Sequence, residues 1–327
     1  MALPLKSQVH VDVPITNMSV AWLQEAVDFV ARRMFPSVRS SKSSDKYYEY
    51  SREYFNRIQA SKLAPGANFP GTGFGIATES FNTEKRGIQH PMPIEVESDA
   101  DEVLMIKEGQ SRWVQQQLLL LEESEFAAEF FGTGIWTTDY DGSGADFIQF
   151  DLANSDPVLV FTAARRAIKL LTGVWPNKLL LGQETADVIW SNDAVIARIK
   201  NTVPSITGQN LAKADEMSLA QVLKLDEVLV GGAIVNTEAE PGETNSFILD
   251  GSGAMMCYAA PVPSRFTPSA GYTFVTDSPK LGTNSDGMVF SDWMDDATET
   301  EYRRGKAYYD QKLVSADLGA FFANCVS

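Results

Sequence analysis

Histidine is almost missing from this chain, and cysteine with it. Only His10 and His90 occur among 327 residues. That removes the imidazoles on which Ser–His–Asp triads, His metal sites and most neutral-pH general bases depend. The only cysteines are Cys257 and Cys325, with no Cys-x-x-Cys, so a disulfide scaffold is excluded and the expected place of synthesis is reducing and intracellular. Long apolar runs are absent too. The longest run of leucine, at 118–121, is flanked by Gln and Glu and falls far short of the roughly 18 residues of a membrane span. The opening "MALPLKSQVHVDVP" lacks the basic start and apolar stretch of a secretory signal. Positive charge is scarce: 27 Lys and Arg against 43 Asp and Glu leave a formal charge of -16. This opposes binding to a polyanion over a broad surface, and no basic stripe or aromatic–basic alternation is evident along the chain. A protein of this charge that works near nucleic acid is expected to enclose it rather than grip it.

What is present reads as a globular α+β chain, long enough for one large domain or two ordinary ones. Residues 17–35, "NMSVAWLQEAVDFVARRMF", place Ala21, Leu23, Val27, Val30 and Met34 at helical spacing, with Pro36 as the stop. The following "PSVRSSKSSDKYYEYSREYF" is polar and rich in Ser and Tyr, and reads as an extended arm. Residues 63–98 hold five glycines and four prolines. They are expected to form a hairpin with strands "GFGIATESF" and "GIQHPMPIEVE" and the charged tip "NTEKRG". The strongest helix signal, 99–131, comes next. Asp99 and Glu102 stand at capping-box spacing, and Val103, Ile106, Val114, Leu118, Leu121, Phe126 and Phe130 form its apolar stripe. Gly109 is a candidate kink in it. A second helix is expected at 156–172, with Pro157 in its first turn and Gly173 after its last. Beyond it lie a buried strand "NKLLLG", helices broken near Asn192, a helix boxed by Ser218 and Gln221, and a hairpin turned at "DGSG". The tail after Gly287 alternates in strand fashion.

Catalytic motifs fare poorly. Gly71, Gly73 and Gly75 alternate like the start of a phosphate loop, but residue 76 is Ile and the next helix starts far downstream. A dinucleotide fingerprint needs a helix N-terminus at that point to supply the amides that hold pyrophosphate. The plainer reading is a flexible loop. The best carboxylate cluster is "SDWMDDATETEY", with Asp292, Asp295, Asp296, Glu299 and Glu301 beside Trp293 and Tyr302. Paired acids near a stacking ring are what glycoside hydrolysis requires, while a solvated turn in an acid-rich chain produces the same pattern. Cys257, within "MMCYAA", reads as a small buried hydrophobe. No catalytic, cofactor or metal site is assigned.

The order of elements resembles the major capsid protein of tailed bacteriophages, with its Hong Kong 97-type fold. In sequence order these are an N-terminal helix and arm (1–62), an extended β-hairpin loop (63–98), a spine helix that follows it directly, a second long helix, and a compact α/β unit. The chain then returns in long strands. The phrase "GVWPNKLLLGQETADVIWSNDAVIARIKN" is similar to the point where the family passes into its axial domain. The resemblance implies a peripheral domain from 99–174 and 268–327 and an axial domain at 175–267. It further implies a non-enzymatic subunit that assembles with itself into hexamers and pentamers of an icosahedral shell. That shell would enclose double-stranded DNA without sequence-specific binding and without a membrane. A separate scaffolding protein is expected because no long helical leader is seen; a portal and a decoration protein are the other implied partners, no cofactor is, and the place is the virion, assembled in host cytoplasm. The extended loop is implied to reach over a neighbour, with Glu84, Lys85 and Arg86 as charged contact candidates and Tyr47, Tyr48 and Tyr50 as apolar ones. Lys62, Lys85 and Asn324 are of the types that some members weld as isopeptides, although nothing in their surroundings singles them out. Two other readings stay open: a carboxylate-dependent carbohydrate-active enzyme built on residues 292–301, and a phage tail or decoration component.

Overall fold

The computed structural model describes residues 24–50, 56–69, 71, 73, 75–98, 106–144, 146–202, 215–238, 244–263, 267–278, 281, 283 and 286–327. Along the chain come α1 (Ala31–Met34), β1 (Ser37–Ser40), β2 (Ser44–Tyr50), β3 (Ile76–Asn82), β4 (Glu84–Pro93), α2 (Ile94–Ser98) and the long α3 (Ile106–Phe130). Then follow β5 (Thr138–Asp141), α4 (Pro157–Thr172), β6 (Lys178–Gly182), α5 (Gln183–Ser191), α6 (Asp193–Thr202), α7 (Glu216–Leu223), β7 (Glu227–Gly231), β8 (Ile234–Asn236) and β9 (Asn245–Phe247). The last are β10 (Ala254–Cys257), β11 (Gly271–Thr276), β12 (Met288–Asp295), β13 (Thr300–Leu313) and β14 (Gly319–Ala323).

Two sheets organise the molecule. In the first, β13 is the hub: β4 pairs along one side, and β12 and β11 divide the other, with β1 parallel to β11 beyond it. Helix α3 lies on one face of this sheet. The approach is close because Gly305 stands where a Cβ would come within 2.4 Å of Val114 and 3.1 Å of Leu118. Gly305→Val should therefore lower stability by about 1–3 kcal/mol through overpacking, read as a reduced thermal midpoint. The second sheet runs β5-β14-β10-β6-β7. Its parallel pair β6 and β7 is buried, as a strand covered on both faces should be. It packs against α4 to α7 around Phe161, Ile168, Leu179, Ile189 and Phe322. This sheet takes strands from residues 138–141 and from 319–323 as well as from the intervening chain.

Local signals place α4 well. Asp156 caps it by accepting from Leu159 N, Pro157 fills its first position, and Gly173 closes it at φ 81°. The break near Asn192 separates α5 from α6 as expected. Cys257 is fully buried, and burial pushes its thiol up to about 12.

Several expectations are corrected. Residues 17–23 of the first helix lie outside the described residues, and the remainder is not one helix. A single 3-10 turn, Ala26–Asp28, and the one-turn α1 are separated by extended Phe29. The segment spends its polar groups on distant partners instead: Gln24 bonds both the N–H and the C=O of Ile234, and the amides of Val30 and Ala31 donate to Glu123. Residues 63–98 do not form a hairpin either. β3 pairs with β2 and β4 pairs with β13, turning apart at Thr83. The DGSG turn exists, but β9 pairs with β8 and β10 pairs with β6 and β14. Helix α7 is capped by Asp215, which accepts from Ser218 N, not by a Ser218–Gln221 box. In α3 the residues before 106 lie outside the described ones, and the helix runs unbroken through Gly109. Its buried row is Gln110, Val114, Leu118, Glu122, Phe126 and Phe130, whereas Leu121 is 40 % exposed.

Candidate functional site

β2 and β3 form a two-stranded ribbon in register from Ser44↔Asn82 to Tyr50↔Ile76. No other strand pairs with it among the described residues. A lone two-stranded ribbon is marginal in water, so its root matters. Phe81 stacks flat on Phe274 at 4.2 Å, and Tyr47 stacks on the same ring at 5.5 Å. At the corner, the Thr83 amide donates to Ser43 O at 2.7 Å and its hydroxyl meets that of Thr276 at 2.5 Å. The Asn82 amide donates to Asp310 Oδ2 at 2.8 Å. Outward from this root the ribbon is open to solvent: Tyr48 and Ile76 are exposed, and in the connecting loop Ile58 and Phe69 are 93 % and 86 % exposed. Among the described residues these apolar side chains stand in solvent in and beside the ribbon's loop.

The candidate residues separate into three groups. Tyr48, Glu84 and Lys85 are exposed. Tyr47 is held at the ribbon root, and the side chain of Tyr50 lies outside the described residues. Arg86 is used within its own chain. Its Nε donates to both Glu125 carboxylate oxygens at 3.1 and 3.0 Å, its Nη1 donates to Tyr309 O at 2.7 Å, and its guanidinium lies 4.2 Å over the Tyr309 ring. The Tyr309 hydroxyl donates to Glu125 at 2.8 Å, and burial pushes its pKa up. Arg86 thus anchors β4 and the foot of the ribbon to α3.

A second polar arrangement, which the pattern of the sequence does not announce, ties the N-terminal segment to α3. Glu123 Oε2 accepts from the amides of Val30 and Ala31, both at 3.0 Å, at the start of α1. Beside it Arg32 Nε meets Glu122 Oε1 at 2.7 Å. Both glutamates are buried, and burial pushes the Glu123 pKa up to about 7. On the far side of the segment Arg33 and Lys178 share Glu227, at 2.7 and 3.2 Å. Phe35 fills the space between, 5.2 Å from Phe126 and 4.9 Å from Phe130. The segment thereby fastens α3 to the second sheet.

The other sequence candidates find ordinary places. Gly71 and Gly73 sit in the ribbon's loop with open space around them, and strand β3, not a helix, follows. The 292–301 acids sit on the β12–β13 turn, where Asp295 accepts from Ala297 N and Thr298 Oγ1 and Asp292 pairs with Arg303. Trp293 stacks on Tyr302 within its own sheet. That arrangement holds a turn. Asn324 donates to Asp141 at 2.9 Å from a left-handed backbone position. Half-buried His90 faces the edge of Trp113, and burial lowers its pKa. Among the described residues no group of three or more His, Cys, Asp or Glu could hold a metal ion, and no helix is long and apolar enough to cross a membrane.

No family model matches the sequence. A major capsid protein of Burkholderia phage BcepMu is 18% identical over 224 residues, covering 68% of this chain and 69% of that protein. The crystal structure of a phage-related protein from Bordetella bronchiseptica superposes with a TM-score of 0.66 at 18% identity, over 93% of this chain and 94% of that one. The capsid structure of cyanophage P-SCSP1u gives a TM-score of 0.59 at 9% identity, over 94% and 90% of the two chains. Mixed helix and sheet in this order is the fold of phage capsid structures, and this chain has it over almost its whole length.

Proposed function

We propose that this chain is the major capsid protein of a tailed bacteriophage, a structural and non-catalytic subunit that assembles with itself into hexamers and pentamers of an icosahedral shell around double-stranded DNA. The fold and the BcepMu relative support the class. The observation that carries the reading is the β2–β3 ribbon, whose apolar loop stands in solvent unless another molecule covers it. A shell supplies such a molecule at every position. The acidic balance agrees with a container that does not hold its contents tightly. A separate scaffolding protein, a portal and a decoration protein belong to this reading, as do assembly in the host cytoplasm, residence in the virion and a maturation step.

The test is assembly itself. The chain is expressed alone and with its genomic neighbours, and particles are sought by light scattering and negative-stain imaging. Closed shells or capsomer rings are expected. Replacing the loop at 56–69 by a short turn should leave a folded chain that forms no shells, because the ribbon root at Phe81 and Thr83 is untouched. A small monodisperse species from the unaltered chain under both conditions would defeat the proposal.

A further inference from the structure

Strand alternation decides which side chains share the face of the first sheet that points away from α3. Arg86, Ile88, Gly305 and Ala307 point toward the helix, as their contacts with Glu125, Leu118 and Val114 show. Their neighbours on β4 and β13 must point the other way. In the observed register these include Lys85, opposite Tyr308, together with Arg304 and Lys306. The ribbon root covers this face only at its Phe274 end. At the other end Trp293 and Tyr302 stack at 4.9 Å, and the Arg304 guanidinium lies 5.3 Å from the Trp293 ring centre. Among the described residues no carboxylate lies within ion-pair distance of Lys85, Arg304 or Lys306. In a chain of formal charge -16, three cations beside an aromatic shelf with no acid to meet them among the described residues are a local inversion of sign.

The missing acids are at the tip of the same sheet. Asp296 and Glu299 are exposed on the β12–β13 turn, and Glu95 stands next to them because the Ile94 amide donates to Glu299 O at 3.0 Å. These three also lack an ion-pair partner among the described residues. They cannot serve the cations of their own chain. From Glu299 to Arg304 the strand climbs roughly 16 Å at about 3.3 Å per residue, with Lys306 and Lys85 farther still, beyond the reach of two side chains.

We propose that the acidic turn of one copy, Glu95, Asp296 and Glu299, seats on the basic sheet face of a second copy, Lys85, Arg304 and Lys306, beside the Trp293–Tyr302 shelf. The contact joins two different patches, so it runs head to tail and closes into a ring wherever the rotation between copies allows. Like charges brought together there cost several kcal/mol, which makes the contact a selector of the correct neighbour. DNA is disfavoured as the occupant because three cations would have to overcome the field of the rest of the chain. The inference rests on the shell reading and names one of its contacts.

Charge exchange tests it. The face variant K85E/R304E/K306E and the turn variant E95K/D296K/E299K are made separately and then combined in one chain. All are checked for folding by circular dichroism and thermal melting, and particle yield is measured. Each separate variant should lose about ten-fold or more in yield, and the combined one should recover most of it. Where a triple variant is insoluble, R304E, E299K and their combination repeat the comparison. Full yield from both separate variants overturns the contact while the shell reading stands. Loss in each with no recovery in combination also overturns it, and if the face variant's particles then lack co-purified nucleic acid, the face belongs to the polyanion instead. An unaltered chain that never forms particles removes the shell reading and this contact together.

Discussion

Glu123→Gln should abolish a pH dependence that the unaltered, unassembled chain shows between about 4.5 and 7. The Glu123 carboxyl is pushed up by burial from 4.5 to about 7, with Glu122 alongside adding to the effect and the two amide bonds opposing it. Between those values the folded chain holds a proton that the unfolded chain has lost. Stability from this group is therefore complete below about 4.5 and drains away as pH rises through 7. The total is on the order of a few kcal/mol. Oε2 receives both amides, while the buried Oε1 finds no hydrogen-bond partner among the described residues, so burial outweighs the two bonds. Glutamine keeps an oxygen for the amides of Val30 and Ala31 and cannot ionise. Urea unfolding at pH 5 and pH 8 should show the variant gaining on the wild type at the higher pH. Parallel profiles for the two proteins would mean that Glu123 does not titrate in this range.

Phe35→Ala should be the most damaging single truncation in the N-terminal segment, at about 3–5 kcal/mol. The ring is fully buried and makes an edge contact with Phe126 and a tilted one with Phe130. It also lies against Gly271, where even a Cβ would come within 2.5 Å of the ring. The surroundings are two elements of different sheets and a long helix, none of which can move into the cavity alone. Val27→Ala, at a residue 65 % exposed, is the control and should change stability by less than about 0.5 kcal/mol. A drop in denaturation midpoint with Phe35→Ala no larger than the control's would show that the segment is only laid on the surface.

The parts of the fold that were readable are those whose causes lie within a few residues. The cap at Asp156, Pro157 and the closing Gly173 specify α4 to the residue, and the alternation of the tail marks β12 and β13. Errors arise where a partner comes from far along the chain. Leu121, in the expected apolar stripe, is exposed while Glu122 and Glu123 are buried, because no local rule shows that the backbone of Val30 and Ala31 and the side chain of Arg32 arrive there. The same physics misread the loop. β3 and β4 are adjacent in sequence and carry hairpin signals, yet the buried Thr83 corner sends each to a different sheet. At the candidate site the resemblance names Tyr48, Lys85 and Arg86 alike, and nothing local separates the exposed pair from Arg86, whose anchoring role depends on the distant Glu125 and Tyr309. The basic face was equally hidden. Arg304 and Lys306 are two residues apart in sequence, while Lys85 joins them only through the pairing of β4 with β13.

That same pairing sets the timing of synthesis. The ribbon leaves the ribosome early, but its root rests on Phe274 and Asp310, and β1 beside it pairs with β11. At about 5–20 residues per second, roughly ten to fifty seconds separate the ribbon from the strands that hold it. A nascent chain therefore carries the ribbon before the residues that hold its root exist. The ribbon's root is thus complete only once β11 and β13 have been made.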